Sequence, residues 1–367
     1  MEIKHVAILI PSLKGGGAER VMVNLANLFV DHGLSVDLVV IKAEGPYKNQ
    51  VSSKVNIVDL KCNRVAFSIK SLKYYFEKNN PKNVISTMNH LNIITMLSLK
   101  FSKIETNVIL TEHTTLSKSI SSSKSIKDKI IPYLTKKYYK KANKIVAVST
   151  GVANDLNQFL NIPSNLIEVI YNPIVNDRLL LNAKEKVDHP WFNNKNNPLI
   201  VSVGRLTEAK DYPTLLKAMK KVTSVKNVNL VILGEGELRE QIEQIIYDLK
   251  IEEHVQLLGF VTNPYKYMAK ADGFVLSSKW EGLPTVLVEA MALGVNLIST
   301  DCESGPNEIL MNGKLGRLTT VGDVEDLAQA ILQTIDGSKV VSKGELIESS
   351  QRFNNKSILN KYMRLLV

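Results

Sequence analysis

Glu281 and Glu289 stand eight residues apart in EGLPTVLVE, with Gly282 and Pro284 between them. Pro284 suits a first helical position and the apolar Val286, Leu287 and Val288 follow it. Glu281 is therefore predicted on a loop and Glu289 two turns into a helix, both facing one cleft. A loop carboxylate beside helix N-terminal amides can hydrogen-bond sugar hydroxyls while the amides hold a phosphate, which describes a pocket for a nucleotide sugar. Two solvated glutamates on an amphipathic helix share this spacing, but do not call for the glycine, the proline and the apolar residues between them.

Other stretches carry matching chemistry. In VSVGRLTEAKDYP, Gly204, Arg205 and Lys210 follow a buried strand and precede a helix starting near Tyr212. Two cations placed there can neutralise a diphosphate whose charge grows as a glycosidic bond breaks. SLKGGGAER sets Gly15, Gly16 and Gly17 between the first strand and a helix starting near Ala18, where bare backbone amides can approach a phosphate or a sugar. A dinucleotide fingerprint is excluded, because Arg20 stands where its third glycine belongs and no acidic residue ends the second strand. LGFVTNP turns from strand to helix, and Gly259 either brings backbone close to a planar base or simply makes the turn. TEHTT puts His113 just beyond a strand end, where an imidazole could take a proton. In DCESGPNEIL, Asp301 and Glu303 imitate an Asp-x-Asp metal motif. No metal is expected, since Arg205, Lys210 and helix amides already supply a positive field.

The elements that must hold these residues read as two α/β units. A chain of 367 residues with 44% hydrophobic content can bury two full cores. Short apolar runs alternate with amphipathic helical stretches. Strands are predicted near His5–Ile10, Ser35–Ile41, Val55–Leu60, Asn83–Thr87, Asn107–Thr111 and Lys144–Ser149. A second set follows near Leu199–Val203, Asn229–Leu233, Val255–Leu258, Gly273–Leu276, Asn296–Thr300 and Leu315–Leu318. The polar stretch 182–198 reads as a linker pinned by Trp191 and Phe192, dividing a domain at 1–181 from one at 199–351. Open parallel sheets bind ligands beyond the carboxyl ends of their strands. The expectation is two Rossmann-like doubly wound parallel-sheet domains facing a deep cleft.

Charge is uneven. Residues 1–184 carry 25 Lys and Arg against 13 Asp and Glu, and the remainder 21 against 23, so the first half accounts for the net +10. That half should have an acidic partner. No zinc-finger spacing, RNP-like aromatic motif or basic heptad region points to nucleic acid, and an anionic membrane surface fits better. From Lys118 to Lys144 there are nine lysines and one acidic residue, Asp128, interleaved with Ile126, Ile130, Ile131, Tyr133 and Leu134. This segment reads equally as a helix lying on lipid headgroups and as a solvated basic helix packing its apolar side on the first domain. No apolar run is long enough to span a bilayer and the N-terminus shows no signal-peptide pattern. Cys62 and Cys302 lie in different halves and make no metal or disulfide motif. A cytoplasmic protein, peripheral on the inner face of the membrane at most, is expected.

Together EGLPTVLVE, VSVGRLTEAKDYP and the GGxER loop resemble, in order and spacing, retaining glycosyltransferases of family 4, and the resemblance covers essentially the whole chain. It implies the GT-B arrangement, with a C-terminal helix at 352–367 crossing back to complete the first domain. It implies that Glu281 contacts hydroxyls of the donor sugar, Glu289 grips the ribose, and Arg205 and Lys210 stabilise the departing diphosphate. Gly16, Gly17, Gly204, Gly282, Leu283, Pro284 and Thr285 would complete the donor contacts, backbone at Gly259, Phe260 and Val261 would meet the base, and Glu19 and Arg20 would face the acceptor. His113 would position a hydroxyl near the reacting carbon. The loop bearing Glu308 either reaches the diphosphate or is only structural. The implied reaction moves a hexose or N-acetylhexosamine from a UDP-sugar to a polyprenyl-diphosphate-linked or surface glycan, without a cofactor. A nucleotide-sugar epimerase and a catalytically silent sugar-nucleotide binder are the alternatives. A double-displacement hydrolase is excluded, since its carboxylates must flank one anomeric carbon.

Overall fold

The computed structural model describes residues 5–14, 16–117, 127–193, 196–338 and 341–367. The chain forms two compact units, Met1–Pro173 with Asn355–Val367, and Ile174–Asn354.

In the first unit the elements run β1 (His5–Ser12), α1 (Gly17–Asp31), β2 (Ser35–Lys42), β3 (Asn56–Asp59), α2 (Ile69–Asn79), β4 (Asn83–Thr87), α3 (Asn89–Ser102), β5 (Asn107–Glu112), α4 (Lys127–Tyr139), β6 (Lys144–Ala147), α5 (Thr150–Leu160) and β7 (Ile167–Val169). The seven strands are all parallel in the order β3-β2-β1-β4-β5-β6-β7. Val6 to Ile10 are wholly buried, as an unbroken apolar strand must be when both sheet faces are covered. Strand order reverses between β1 and β4, so the loops that leave their carboxyl ends splay apart and open a crevice. The sequence reading missed β7, because the alternation of Ile167, Glu168 and Val169 spans only three residues, too short a stretch to mark a strand.

The C-terminal helix Asn355–Leu365 belongs to this unit. Ile358, Leu359, Tyr362 and Leu366 enter the core around α1, where Tyr362 meets Phe29 edge-on at 6.3 Å. Two asparagines hold the chain end: Asn83 Nδ2 donates to the Val367 carbonyl (3.1 Å), Asn83 Oδ1 accepts from its amide (3.0 Å), and Asn107 Nδ2 donates to the Leu365 carbonyl (2.7 Å). Those bonds serve carbonyls that a helix end leaves without partners.

The second unit runs α6 (Asp177–Asn182), α7 (Pro190–Asn193), β8 (Leu199–Val203), α8 (Tyr212–Val225), β9 (Asn229–Leu233), α9 (Arg239–Leu249), β10 (Val255–Leu257), α10 (Tyr265–Met268), β11 (Gly273–Leu276), α11 (Thr285–Ala292), β12 (Asn296–Thr300), α12 (Pro306–Ile309), β13 (Arg317–Thr319), α13 (Val324–Ile335) and α14 (Lys343–Ser350). Its six parallel strands lie in the order β10-β9-β8-β11-β12-β13, with the reversal between β8 and β11. β13 starts two residues later than expected, after Gly316 passes so close to Leu297 that a Cβ would stand 2.7 Å from its carbonyl oxygen. Where the sequence reading put a linker, the chain packs on this unit. Phe192 meets Tyr267 edge-on at 5.2 Å, and the Asn182 carbonyl accepts from Asn263 Nδ2 at 2.9 Å. Among the described residues no helix is long and apolar enough to cross a membrane.

Leu359 is buried in the core formed with α1, so Leu359→Ala should cost about 2–5 kcal/mol, read as a lowered urea midpoint for the first unit.

Candidate active site

The reversal in the second sheet brings together the two loops predicted to carry charge. Residues 204–211 leave β8, and residues 277–284 leave β11. Lys210 Nζ donates to Glu281 Oε1 at 2.6 Å, with only 19% and 14% of the two side chains exposed. The same carboxylate oxygen accepts from Ser278 Oγ at 2.6 Å. Three further contacts join the loops: Ser277 Oγ donates to the Lys210 carbonyl (2.7 Å), the Lys279 amide donates to the Ala209 carbonyl (2.8 Å), and Lys279 Nζ lies 3.8 Å from Asp211 Oδ1. Asp211 takes the left-handed conformation (φ 47°), which turns the chain from the short 3-10 turn Glu208–Lys210 directly into α8. Gly204 leaves room for the lysine, since a Cβ there would stand 3.0 Å from Lys210 Cε and 3.1 Å from the Tyr212 hydroxyl. Arg205 is exposed, on the same loop as Lys210. Cys302 lies nearby, and burial first, then the Glu281 charge, pushes its thiol up to about 12, so it stays a neutral thiol.

Glycines set how closely the neighbouring loops approach. A Cβ on Gly234 would fall 1.9 Å from the Gly204 carbonyl oxygen, and one on Gly236 would fall 2.4 Å from that of Leu206. The Gly234 amide donates to the Gly259 carbonyl (2.8 Å), and the Leu206 amide to the Glu235 carbonyl (2.9 Å). Gly259 (φ 72°) is buried under Glu235, Phe260 is 54% exposed and Val261 is half-buried. The sequence reading passed over Gly234 and Gly236, although a Gly-x-Gly directly after the apolar strand NLVIL was the available signal.

Pro284 caps α11 and Thr285 opens it, one residue later than the sequence reading placed the helix start. Gly282, Leu283 and Pro284 are buried, and Ser304 Oγ holds the Gly282 carbonyl at 2.9 Å. Gly305 (φ 93°) packs against Pro284, where a Cβ would meet Pro284 Cδ at 2.5 Å. Glu289 sits in the second turn and is almost wholly buried, with Tyr265 Oη 3.5 Å from its Oε1. Glu308 is half-buried and Asp301 and Glu303 are exposed, Asp301 accepting from Asn307 Nδ2 at 3.2 Å. Among the described residues no three His, Cys, Asp or Glu side chains are gathered as a metal cage.

In the first unit, Gly16 caps α1 and Glu19 folds back over it, so that a Cβ on Gly16 would collide with Glu19 Oε2 at 1.9 Å. Ser12 Oγ donates to Glu19 Oε1 at 2.9 Å, and Glu19 is buried. Gly17 is exposed, with open space where a Cβ would go, and Arg20 is half-buried. Gly15 lies outside the described residues. At the facing end of β4, Met88 adopts φ 70° and ψ 133°, a conformation that L-residues avoid, ahead of Asn89 and His90. Nothing in the sequence signals it.

His113 follows β5 with Nε2 3.3 Å from Thr111 Oγ1, and burial pushes its pKa down to about 4, leaving a neutral imidazole. Glu112, on the opposite face of the strand, was not singled out in the sequence. It is buried against Tyr139, whose hydroxyl donates to Oε1, and Asn92, whose Nδ2 donates to the same oxygen at 3.0 Å. Asn89 Nδ2 extends the cluster to the Tyr139 hydroxyl and to Thr135 Oγ1, 3.0 Å each. Burial raises the Glu112 pKa to about 7 against the pull of these donors, and the Asp155 charge adds to the rise. Thr135 and Tyr139 belong to α4, whose other side exposes Ile130, Tyr133, Lys136 and Lys137, with Lys137 Nζ 5.9 Å from the Tyr133 ring centroid. The basic segment's first part, 118–126, lies outside the described residues.

Two Rossmann-like parallel sheets in one chain, each with a switch point, are the architecture of the GT-B class of glycosyltransferases. The family model described as Glycosyltransferase Family 4 matches residues 15–178, and that for Glycosyl transferases group 1 matches residues 183–357. The chain belongs to this glycosyltransferase family, as the sequence motifs indicated. It is 29% identical over 349 residues, 92% of each chain, to the N-acetylgalactosamine-N,N'-diacetylbacillosaminyl-diphospho-undecaprenol 4-alpha-N-acetylgalactosaminyltransferase of Campylobacter jejuni. It is 25% identical over 296 residues, 80% of each chain, to the amylovoran biosynthesis glycosyltransferase AmsD of Erwinia amylovora. Among solved structures, Anabaena Alr3699/HepE in complex with UDP-glucose superposes with a TM-score of 0.81 at 19% identity, covering 98% of both chains. A Rickettsia africae glycosyltransferase gives 0.80 at 19% identity over 100% of this chain and 98% of its own.

The two titratable neighbours at the β5 end predict opposite pH effects. The folded pKa of Glu112 stands above its ordinary 4.5, so its contribution is complete below pH 4.5 and is lost as the pH rises through 7. Relative to Glu112→Gln, wild type should therefore lose on the order of 3 kcal/mol between pH 4 and 8. His113 is depressed from 6.5 to about 4, so relative to His113→Asn wild type should gain stability as the pH rises across that window. Urea titrations of each variant beside wild type at stepped pH measure both slopes.

Proposed function

We propose that this chain is a retaining transferase that moves a hexose or N-acetylhexosamine from a UDP-sugar to a polyprenyl-diphosphate-linked or cell-surface glycan. The observation that carries the reading is the Lys210–Glu281 contact at the switch point of the second sheet, with Arg205 exposed on the loop that bears Lys210. Arg205 and Lys210 stabilise the charge that gathers on the diphosphate as the sugar leaves. Glu281 accepts hydrogen bonds from sugar hydroxyls, Glu289 and the start of α11 hold the ribose and phosphate side, and backbone at Gly259, Phe260 and Val261 meets the base. The acceptor hydroxyl attacks from the face the diphosphate leaves, and a phosphate oxygen receives its proton. In the first unit Glu19 shapes the loop that presents Arg20 to the acceptor. His113, neutral near pH 7, suits contact with a hydroxyl. Fixed positive charge replaces a metal ion. The names of the relatives support both substrates: the Anabaena protein was solved with UDP-glucose, and the Campylobacter enzyme is named for a diphospho-undecaprenol-linked substrate. Helix α4, with Ile130 and Tyr133 exposed among lysines, rests on anionic lipid at the cytoplasmic face of the membrane.

UDP, compared with GDP and ADP, should raise the apparent stability of the protein, by about 2.7 kcal/mol at a hundredfold excess over its Kd. Lys210→Ala and Glu281→Gln should each lower kcat/KM by about 10²-fold or more, with EDTA leaving wild-type turnover unchanged. NMR of the product should show the donor's anomeric configuration retained. An inverted product removes the retaining mechanism, and a free epimerised nucleotide sugar removes the transferase.

Lys136, Lys137 and Lys140 changed together to Glu should abolish cosedimentation with phosphatidylglycerol vesicles. Undiminished binding would remove the membrane contact.

A further inference from the structure

Resting on the donor-site reading, we propose that Ser278 is a positioning residue for the transfer reaction, fixing through its hydroxyl which oxygen Glu281 offers to the sugar. Ser277 and Ser278 follow β11 at 2% and 0% exposure, so neither presents a hydroxyl to a substrate. Their hydroxyls go to different parts of the site. Ser277 Oγ holds the backbone of Lys210, and Ser278 Oγ holds the carboxylate of Glu281. Ser278 is anchored in turn, because its carbonyl accepts from Thr300 Oγ1 at 2.6 Å, on the neighbouring strand β12.

The consequence lies in how donors are shared. Glu281 Oε1 accepts from both Lys210 Nζ and Ser278 Oγ, which fills the two lone pairs of that oxygen. Oε2 is left to accept from a sugar hydroxyl. Without Ser278 the carboxylate is held by a single flexible lysine, whose side chain carries about 2 kcal/mol of rotamer entropy, and it can turn about its terminal bond. A reacting group misplaced by about 1 Å can cost on the order of 10²-fold in rate. Nucleotide affinity rests on other groups. Ser278 therefore acts on turnover and hardly on nucleotide binding.

The test measures donor kinetics and UDP binding for Ser278→Ala, Glu281→Gln and the double variant. Ser278→Ala should lower kcat about 10- to 100-fold while the UDP Kd stays within about twofold of wild type, which also reports an intact fold. In the Glu281→Gln background the same change should add less than about threefold, since the two residues act as one unit. Wild-type kcat in Ser278→Ala, or losses that multiply fully in the double variant, would overturn the role of Ser278 while leaving the donor site standing. Full turnover by Glu281→Gln would overturn the donor-site reading and the role of Ser278 with it.

Discussion

Everything at the switch point of the second sheet is arranged around the contact between Lys210 and Glu281. Taking two opposite charges largely out of water is costly, and their attraction offsets that cost only when geometry and supporting hydrogen bonds are good. The pair draws its members from loops 71 positions apart in the chain, one after β8 and one after β11. It can form only where parallel strands from the two halves of a doubly wound sheet lie side by side. Gly204 admits the lysine stem, Asp211 bends the chain at once into α8, and Ser277 and Ser278 tie the incoming loop down. Arg205, outside this arrangement, keeps its charge toward solvent.

The corresponding edge of the first sheet is built on the opposite principle. There the ionisable groups nearest the strand ends are pushed toward their neutral forms, His113 down to about 4 and Glu112 up to about 7, both chiefly by burial. Uncharged donors and acceptors at strand ends suit hydroxyls better than phosphates. Glu19, in the first turn of α1, faces inward. It is buried and accepts from Ser12, a contact that ties the start of α1 back to the end of β1.

Much of this was readable from the chain. Apolar runs such as HVAILI and NLVIL must be strands buried on both faces, and the glycines and charges that follow them fall at carboxyl ends, where parallel sheets bind ligands. What stayed hidden depends on contacts distant in sequence. The ion pair between Lys210 and Glu281 could not be read, since each residue was understandable alone as a ligand contact. Glu112 looks like any strand-end glutamate until α3 and α4 close over it. The serines after β11 read as ordinary turn residues, and the φ of Met88 has no signature at all. In stretch 182–198 the anchoring by Phe192 was legible, but its partner Tyr267, 75 positions on, was not.

Helix α4 shows how one segment can satisfy two separable demands. Tyr139 and Thr135 place polar groups in the buried cluster with Glu112, Asn89 and Asn92, so rotating the helix would leave several buried donors and acceptors without partners, at about 1–3 kcal/mol each. That fixes which residues point outward. Ile130, Tyr133, Lys136 and Lys137 are then held at the surface by what happens on the other side of the helix, although burial would favour the isoleucine and the tyrosine inside. The buried hydrogen bonds of Thr135 and Tyr139 thus decide which face of α4 carries Ile130 and Tyr133 outward among the lysines.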